Sequence, residues 1–446
     1  MTTQKDLYNS LGLRIISDKE FYNIQETLSD FYNIHNFSYF NPNIELFTNY
    51  PKAEYTLNNN NKLLKLIKKG GRKSVSGFFY KALLKNKSNR HFYKNVFIKE
   101  IPIFTPLNIK YYYNNCNQSV TSINNDNHII SSILYNLNEQ CNVEIFVNYL
   151  VSKLKELMIS PHFCEYYGSY NVNMNKFTYD ITDDDPVINS IDKITEDDSI
   201  PLRVIDKNGL YLEYKELPCY LLVTEKLTED ISYIEENELL TYEIVLSFTF
   251  QIFSAIITMN TLFGLKHNDL HFGNIMIKKT DKQFLYYSIG NTYYKIPTYG
   301  FIICIFDWGR ATYNFNNYIG KNNIFTSSRD CFNQYIYQKI NNKGYNTIKL
   351  DKNIWTDIVM VSHSILHEFK SVLKDTPLEE ILLDNITTPD RDQLDIDLFD
   401  WDLYLNITCN KFNIKPKELI TNQIYNKFKI KKKLTKTKHI YNIYLI

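Results

Sequence analysis

HNDLHFGNIMIKK, residues 267–279, is the stretch on which the reading of this 446-residue chain turns. A polar loop carrying Asp269 and Asn274 runs directly into the apolar, β-branched run Ile275–Met276–Ile277, the pattern of a buried strand. Taken alone, Asp and Asn in such a loop are turn formers, because their short side chains hydrogen-bond the nearby backbone. Downstream, FIICIFDWGRA (301–311) sets Asp307 immediately after a second apolar strand, with Gly309 free to turn the backbone away. A lone strand-end aspartate is equally a cap or turn residue. What gives these residues meaning is the company they keep.

Working outward, FLYYSIGNTYYKIPTYGF (284–301) has the alternation of a hairpin inserted between the two strands. On the amino-terminal side, Ile244–Leu265 contains no formal charge, yet Ser247, Gln251, Ser254, Thr258 and Thr261 recur at helical spacing. That is a polar stripe on a buried helix from Thr241 to Leu265, not a transmembrane span. CYLLVTEKL (219–227) reads as a buried strand leaving into a polar connection. Farther upstream, LLKLIKK, GFFYKAL and NVFIKEIPIF predict three strands from Leu63 onward, and Phe146, Leu150, Leu154 and Leu157 give a helix from Val143 to about Met158, stopped before Pro161. The acidic concentration within 170–208 predicts a solvated insertion, since its carboxylates need water or partners.

Composition sets wide bounds. With 50 Lys and Arg against 49 Asp and Glu, no global charge drives nucleic-acid or membrane binding. Aromatics at 15% supply ample core material. The seven cysteines form no CxxC pair, and the start of the chain lacks a basic-then-apolar leader, so reduced thiols in an intracellular compartment are expected. Lys427, Lys429, Lys431, Lys432, Lys433, Lys436 and Lys438 form a basic carboxy-terminal tail, suited to an acidic protein, nucleic acid or anionic membrane, or simply solvated.

HNDLHFGN together with DWG resembles the catalytic loop and magnesium-binding motif of the protein-kinase superfamily, in a divergent form similar to haspin-like kinases and to kinases of large DNA viruses. The resemblance spans roughly residues 63–370 and implies an α+β, two-lobed protein-kinase-like fold with a mostly β small lobe and a mostly α large lobe. It implies an ATP- and Mg2+-dependent serine/threonine protein kinase whose partner is a protein Ser or Thr hydroxyl. A small-molecule alcohol kinase and a non-catalytic scaffold are the alternatives. The division it suggests is an extension over 1–62, a small lobe over 63–226, a large lobe over 227–410 and the tail over 411–446. A viral origin would place the protein in host cytoplasm and virion.

Carried over residue by residue, Asp269 matches the catalytic aspartate, Asn274 and Asp307 the magnesium ligands, and Lys99 the phosphate-holding lysine. Glu144, or else Glu156, would be its helix partner. His271 stands where many relatives have a lysine near the transferred phosphate, for phosphate contact or for loop packing. Ser76–Lys81 resembles the end of a glycine-rich loop, with Gly77 in place but Arg72 and Ser74 at the first two glycine positions. In the connection, Thr224 would be gatekeeper, Glu225 and Leu227 would offer backbone contacts to adenine, and Asp230 would lie near the ribose. Asp357 resembles the large-lobe aspartate that braces the catalytic loop. Asn268 replaces the arginine that usually gathers a phosphorylated activation segment, and no APE motif occurs between Gly309 and Asp357.

Overall fold

The apolar positions that begin at Leu63 become the centre of the amino-terminal region in the computed structural model, which describes the chain apart from residues 1–6, 8, 41–54, 75–76, 104–135, 181–201, 207–209, 215–216, 228, 316–317, 326–330, 332–337, 342–343, 348–354, 399, 411, 431–438 and 444–446. Six strands, β1 (Ile34–Tyr39), β2 (Lys62–Ser74), β3 (Gly77–Lys85), β4 (His91–Pro102), β5 (Tyr166–Met174) and β6 (Leu217–Glu225), form one sheet in the order β1-β5-β6-β4-β3-β2. Period-two burial is plain on β3, where Tyr80, Ala82 and Leu84 face the core. The central strand β6 is buried throughout.

Two readings of the sequence change here. The segment before residue 63 is not merely packed on the fold: β1 is an edge strand, pairing Ile34 with Met174 and Tyr39 with Tyr170. The mixed Tyr, Phe and Asn pattern hid this because the strand is interrupted by an irregularity between His35 and Ser38. The acidic stretch also begins later than residue 170, since Tyr170–Met174 is core strand. Phe177–Asp180, Leu202–Asp206 and Leu210–Tyr214 then make a separate three-stranded sheet, and most of the acidic run lies outside the described residues.

Helix α1 (Asp18–Ser29) covers the early strands, with Ser17 accepting from the Glu20 N–H as its N-cap. Helix α2 (Gln140–Glu156) is buried along nearly its whole length, not on one face. Its Phe146 ring lies 5.3 Å from Tyr313 and 5.8 Å from Phe315, so it is wedged between the β-rich and the helical region.

Helix α3 (Tyr242–Phe263) is the axis of the carboxy-terminal region. Thr241 caps its first turn, and Gly264 at φ +54° ends it in the left-handed conformation that glycine tolerates. Its polar stripe is fully employed: Ser247 donates to the Pro297 carbonyl at 2.6 Å, and Gln251 Oε1 accepts from the Ile303 N–H at 3.1 Å. Among the described residues this is the one helix long and apolar enough to cross a membrane, and almost all of its apolar stretch is buried inside the protein. Each large apolar side chain so buried contributes about 1.5–3 kcal/mol.

Strands β7 (Ile275–Lys279) and β10 (Phe301–Ile305) pair antiparallel, and between them β8 (Phe284–Ile289) and β9 (Thr292–Pro297) form the expected hairpin, turning at Gly290, φ +57°. The tail strand Tyr441–Ile443 pairs parallel to β8. Lys431–Lys433, Lys436 and Lys438 lie outside the described residues. Helices α4 (Thr356–Glu368), α5 (Pro377–Asn385) and α6 (Asp400–Cys409) complete a two-part α+β architecture, β-rich before and helix-rich after. Cys141, Cys164, Cys219 and Cys304 are buried free thiols, and Cys331 is buried as well.

Candidate functional site

A cavity of about 350 Å³ lies between the two regions. Its upper wall comes from β3, β4, α2 and β6; its floor comes from the 267–274 loop, β7 and the end of β10. Lys99, Glu144, Thr224, Glu225, Leu227, Asp230, Asn274 and Asp307, distant in sequence, all line it.

Lys99 is the junction. Strand β4 presents its ammonium 2.6 Å from Glu144 Oε1 and 3.0 Å from Asp307 Oδ1. Burial works against the charge on Lys99, but Asp307 and Glu144 more than compensate and raise its pKa. Asp307 is correspondingly held below its ordinary value: burial opposes this, and Lys99 overcomes it. Burial pushes the Glu144 carboxyl up while Lys99 draws it back. Exposure separates the two acids, because the Asp307 side chain is 40% exposed and that of Glu144 only 5%. Asp307 also sits at φ +64°, a conformation costly for a non-glycine residue, which swings the chain toward buried Trp308. Glu156, the other candidate partner, pairs instead with Lys153 at 2.7 Å.

The loop beneath is held by its own polar groups. Asp357, buried on α4, accepts from the His267 and Asn268 N–H groups at 2.7 and 2.8 Å. His267 Nε2 lies 2.8 Å from the Phe306 carbonyl, and its ring is 4.7 Å from that of Trp308. Asn274 Nδ2 donates to the Asp269 carbonyl at 2.8 Å and to its Oδ2 at 3.3 Å. With the nitrogen so committed, the amide oxygen is the atom Asn274 offers to the cavity.

His271 is used locally. Its Nδ1 accepts from the Gly273 N–H at 3.0 Å, its Nε2 lies 3.2 Å from Asn274 Nδ2, and burial lowers its pKa. A Cβ on Gly273 would meet the His271 ring at 2.6 Å, so the imidazole packs into the turn. Gly77 pairs with Lys99, and a Cβ there would strike the Phe97 ring at 2.2 Å; close packing on β4 accounts for it. Arg72 and Ser74 belong to β2 by backbone, and their side chains lie outside the described residues.

Glu225 also has a side-chain role that its sequence position does not announce. Its N–H donates to the Glu165 carbonyl at 2.9 Å. Its carboxylate, 1% exposed, is gripped by Lys155, by Lys278 at 2.5 Å and by Lys94 at 3.2 Å. Two further residues lacked any assignment. Arg310 Nη1 lies 3.2 Å from Asp269 Oδ1, and the Tyr404 hydroxyl donates to the same oxygen. Arg310 stood beside Gly309 as an available cation, whereas Tyr404 reaches Asp269 only through the placement of α6, which no local pattern announces.

Among the described residues no group of three or more His, Cys, Asp or Glu side chains is arranged to hold a metal ion. No protein-family model matches the chain, and a search of curated proteins finds no significant relative.

Proposed function

We propose that the chain is a protein-kinase-like phosphotransferase that moves the γ-phosphate of ATP to a protein serine or threonine hydroxyl. The observation that carries this is the Lys99 bridge between Glu144 and Asp307, directly above a loop that holds Asp269 beside Asn274. In the protein-kinase superfamily, whose catalytic parts are a general template for phosphoryl transfer, a lysine–helix-glutamate pair and a metal-binding aspartate must coincide in this way.

The donor set fits Mg2+. That cation takes hard oxygen ligands and commonly uses one or two carboxylates plus substrate phosphates, so a cluster of three acids is not required. The exposed carboxylate of Asp307 and the amide oxygen of Asn274 would hold it. When bound, it neutralises charge on the phosphates. Lys99 positions the phosphates from the opposite wall. Asp269 orients the acceptor hydroxyl and takes its proton as the new P–O bond forms and the bond to ADP breaks. Thr224, the Glu225 carbonyl and Leu227 border the end of the cavity where a base would lie, and Asp230 stands nearby for a ribose.

One observation favours a small-molecule alcohol as second reading: Tyr404 and Arg310 already crowd Asp269, which narrows the approach for a polypeptide. Incubation of the full chain with labelled ATP, Mg2+, mixed proteins and a panel of small alcohols separates the readings. Label on protein supports the first, and label only on an alcohol supports the second. ATP left intact by folded protein across the whole panel rejects both.

A further inference from the structure

A second cavity, of about 500 Å³, opens between the start of α1, the start of β2 and the β3–β4 turn. It is lined by Lys19, Lys62, Lys85, Lys87 and His91, with Glu20 as its one acid. Both Glu20 oxygens are already taken by the Arg14 guanidinium, at 2.5 and 2.9 Å. Strand register aggravates the imbalance: Lys62 lies directly opposite Lys85, and Lys85 directly opposite His91. Like charges facing each other across neighbouring strands destabilise a sheet. Burial and then repulsion from Arg14, opposed by Glu20 and joined by smaller repulsion from Lys85 and Lys87, lower the pKa of the half-buried Lys62.

Elsewhere the chain's enclosed lysines are neutralised. Lys94, Lys99, Lys153, Lys155 and Lys278 each pair with a glutamate. Here, half-buried Lys62 and Lys85 form no ion pair among the described residues, and neither do the exposed Lys19, Lys87 and His91. The cavity also lies well away from the ATP-sized cleft. Gly77 pairs with Lys99 at one end of β3, and Lys85 at the other end is roughly 26 Å away at about 3.3 Å per residue.

The geometry points to a second, independent binding site, in which this cation-lined cavity takes a phosphate group carrying two or more negative charges, either free or borne on a phosphorylated side chain. An oxyanion there relieves the repulsion between Lys62 and Lys85 and receives donors from the ammonium groups and from Ser17 and the Asn23 and Asn58 amides. The inference does not rest on the phosphotransfer reading, and its failure leaves that reading untouched.

The test is calorimetric titration of the full chain with inorganic pyrophosphate and, separately, with a short phosphoserine peptide. Four proteins are compared: wild type, Lys62→Gln/Lys85→Gln, Lys62→Arg/Lys85→Arg and Lys99→Gln. At least tenfold weaker binding in the glutamine pair, with binding kept in the arginine pair and in Lys99→Gln, is expected. The melting temperature of the unliganded glutamine pair should equal or exceed wild type, because repulsion has been removed. The probe bound more tightly identifies the source as free or protein-borne phosphate. Equal binding of both probes to wild type and the glutamine pair, or loss only in Lys99→Gln, overturns the inference. A fall in the glutamine pair's melting temperature overturns it as well, since the lysines would then be serving the fold.

Discussion

Two networks of lysine and glutamate meet the same cleft and are built to opposite ends. At one side, Lys99 joins buried Glu144 to Asp307, which is 40% exposed and held at φ +64°. At the other, Glu225 is 1% exposed and closed in by Lys94, Lys155 and Lys278, with Glu165 as a second acid and Tyr167 donating to it at 2.8 Å. Both set lysine against a buried glutamate, but the first network keeps an Asp307 oxygen open to solvent in a strained backbone, and the second is satisfied from within. Openness and strain are what the proposed ligand site requires, whereas closure suits a joint of the fold. The second network ties β4, α2, β6 and β7 together, so it fastens the β-rich region to the helical one.

The largest effects should fall on the open side. Asp269→Asn is expected to reduce phosphotransfer about a hundredfold or more while ATP binding persists, because it removes proton acceptance and positioning together. Asp307→Asn should instead weaken the magnesium dependence of ATP binding, since it alters the exposed oxygen ligand. Metal-dependent ATP isotherms and single-turnover rates, on variants whose circular dichroism matches wild type, distinguish the two. Normal transfer by Asp269→Asn, or unchanged magnesium coupling in Asp307→Asn, breaks the assignment of the open network.

On the closed side the effect should be on stability. Glu225→Gln removes the charge that Lys155, Lys94 and Lys278 share, and although Glu165 remains beside Lys94 and Lys155, loss of this buried acid is expected to cost up to about 3–5 kcal/mol. The expected outcome is a clear fall in denaturation midpoint, with magnesium coupling retained at temperatures where the variant is folded. The pH dependence follows from the same group. Burial opposes the Glu225 charge, but Lys155, Lys94 and Lys278 overcome it and hold its pKa below the ordinary 4.5. A folded pKa below the unfolded one gives stability that is complete above the unfolded value and lost as pH falls toward the folded value. Wild type should therefore lose stability on acidification below about pH 4.5, with a shallower slope in Glu225→Gln. Parallel acid limbs for the two proteins would show that Glu225 is not the linked group.

The contrast also shows what a sequence can carry. Asp269, Asn274, Asp307 and Lys99 are singled out by the resemblance of their motifs and not by local pattern, which alone reads the first three as turn or cap residues; the polar stripe of α3 declared its burial by period alone. The edge strand β1 was not legible, since its irregular register spoils the alternation. Neither was the Glu225 cluster, whose lysines come from three separate elements and meet only after the sheet and α2 have packed. Like-signed Lys62 and Lys85 look like ordinary surface charge until strand register sets them opposite one another.

A smaller effect is expected at the acceptor position. The Tyr404 hydroxyl and Arg310 both occupy Asp269 Oδ1, the oxygen an acceptor hydroxyl would use. Any acceptor must displace the phenol, so Tyr404→Phe should raise kcat/KM for the acceptor a few-fold and leave the KM for ATP unchanged, given that one hydrogen bond to a charged group is worth about 1.5–3 kcal/mol and is partly replaced by water. Steady-state kinetics with the acceptor varied provide the check. A fall in kcat with unchanged acceptor KM would instead make Tyr404 a positioning group for Asp269.

The smallest expected effect is on phosphorylation dependence, and it follows from where Asn268 points. In the kinase pattern an arginine at this position gathers a phosphorylated segment and so orders the catalytic loop. Here the loop is ordered without it. Asn268, at φ +62°, receives a brace from Asp357 on its N–H at 2.8 Å and donates its amide to the Arg310 carbonyl at 3.0 Å and to Thr312 Oγ1 at 3.1 Å. The nearby guanidinium of Arg310 is turned onto Asp269. The loop's geometry thus depends on neutral hydrogen bonds and one buried carboxylate, none of which needs an added phosphate. Exhaustive phosphatase treatment of freshly purified protein, verified by mass spectrometry, should leave at least about half of the transfer rate, a change under 0.5 kcal/mol in barrier. Complete loss of transfer, restored when residues between 310 and 356 are phosphorylated again, would show that a phosphate-bound arrangement orders the open side after all.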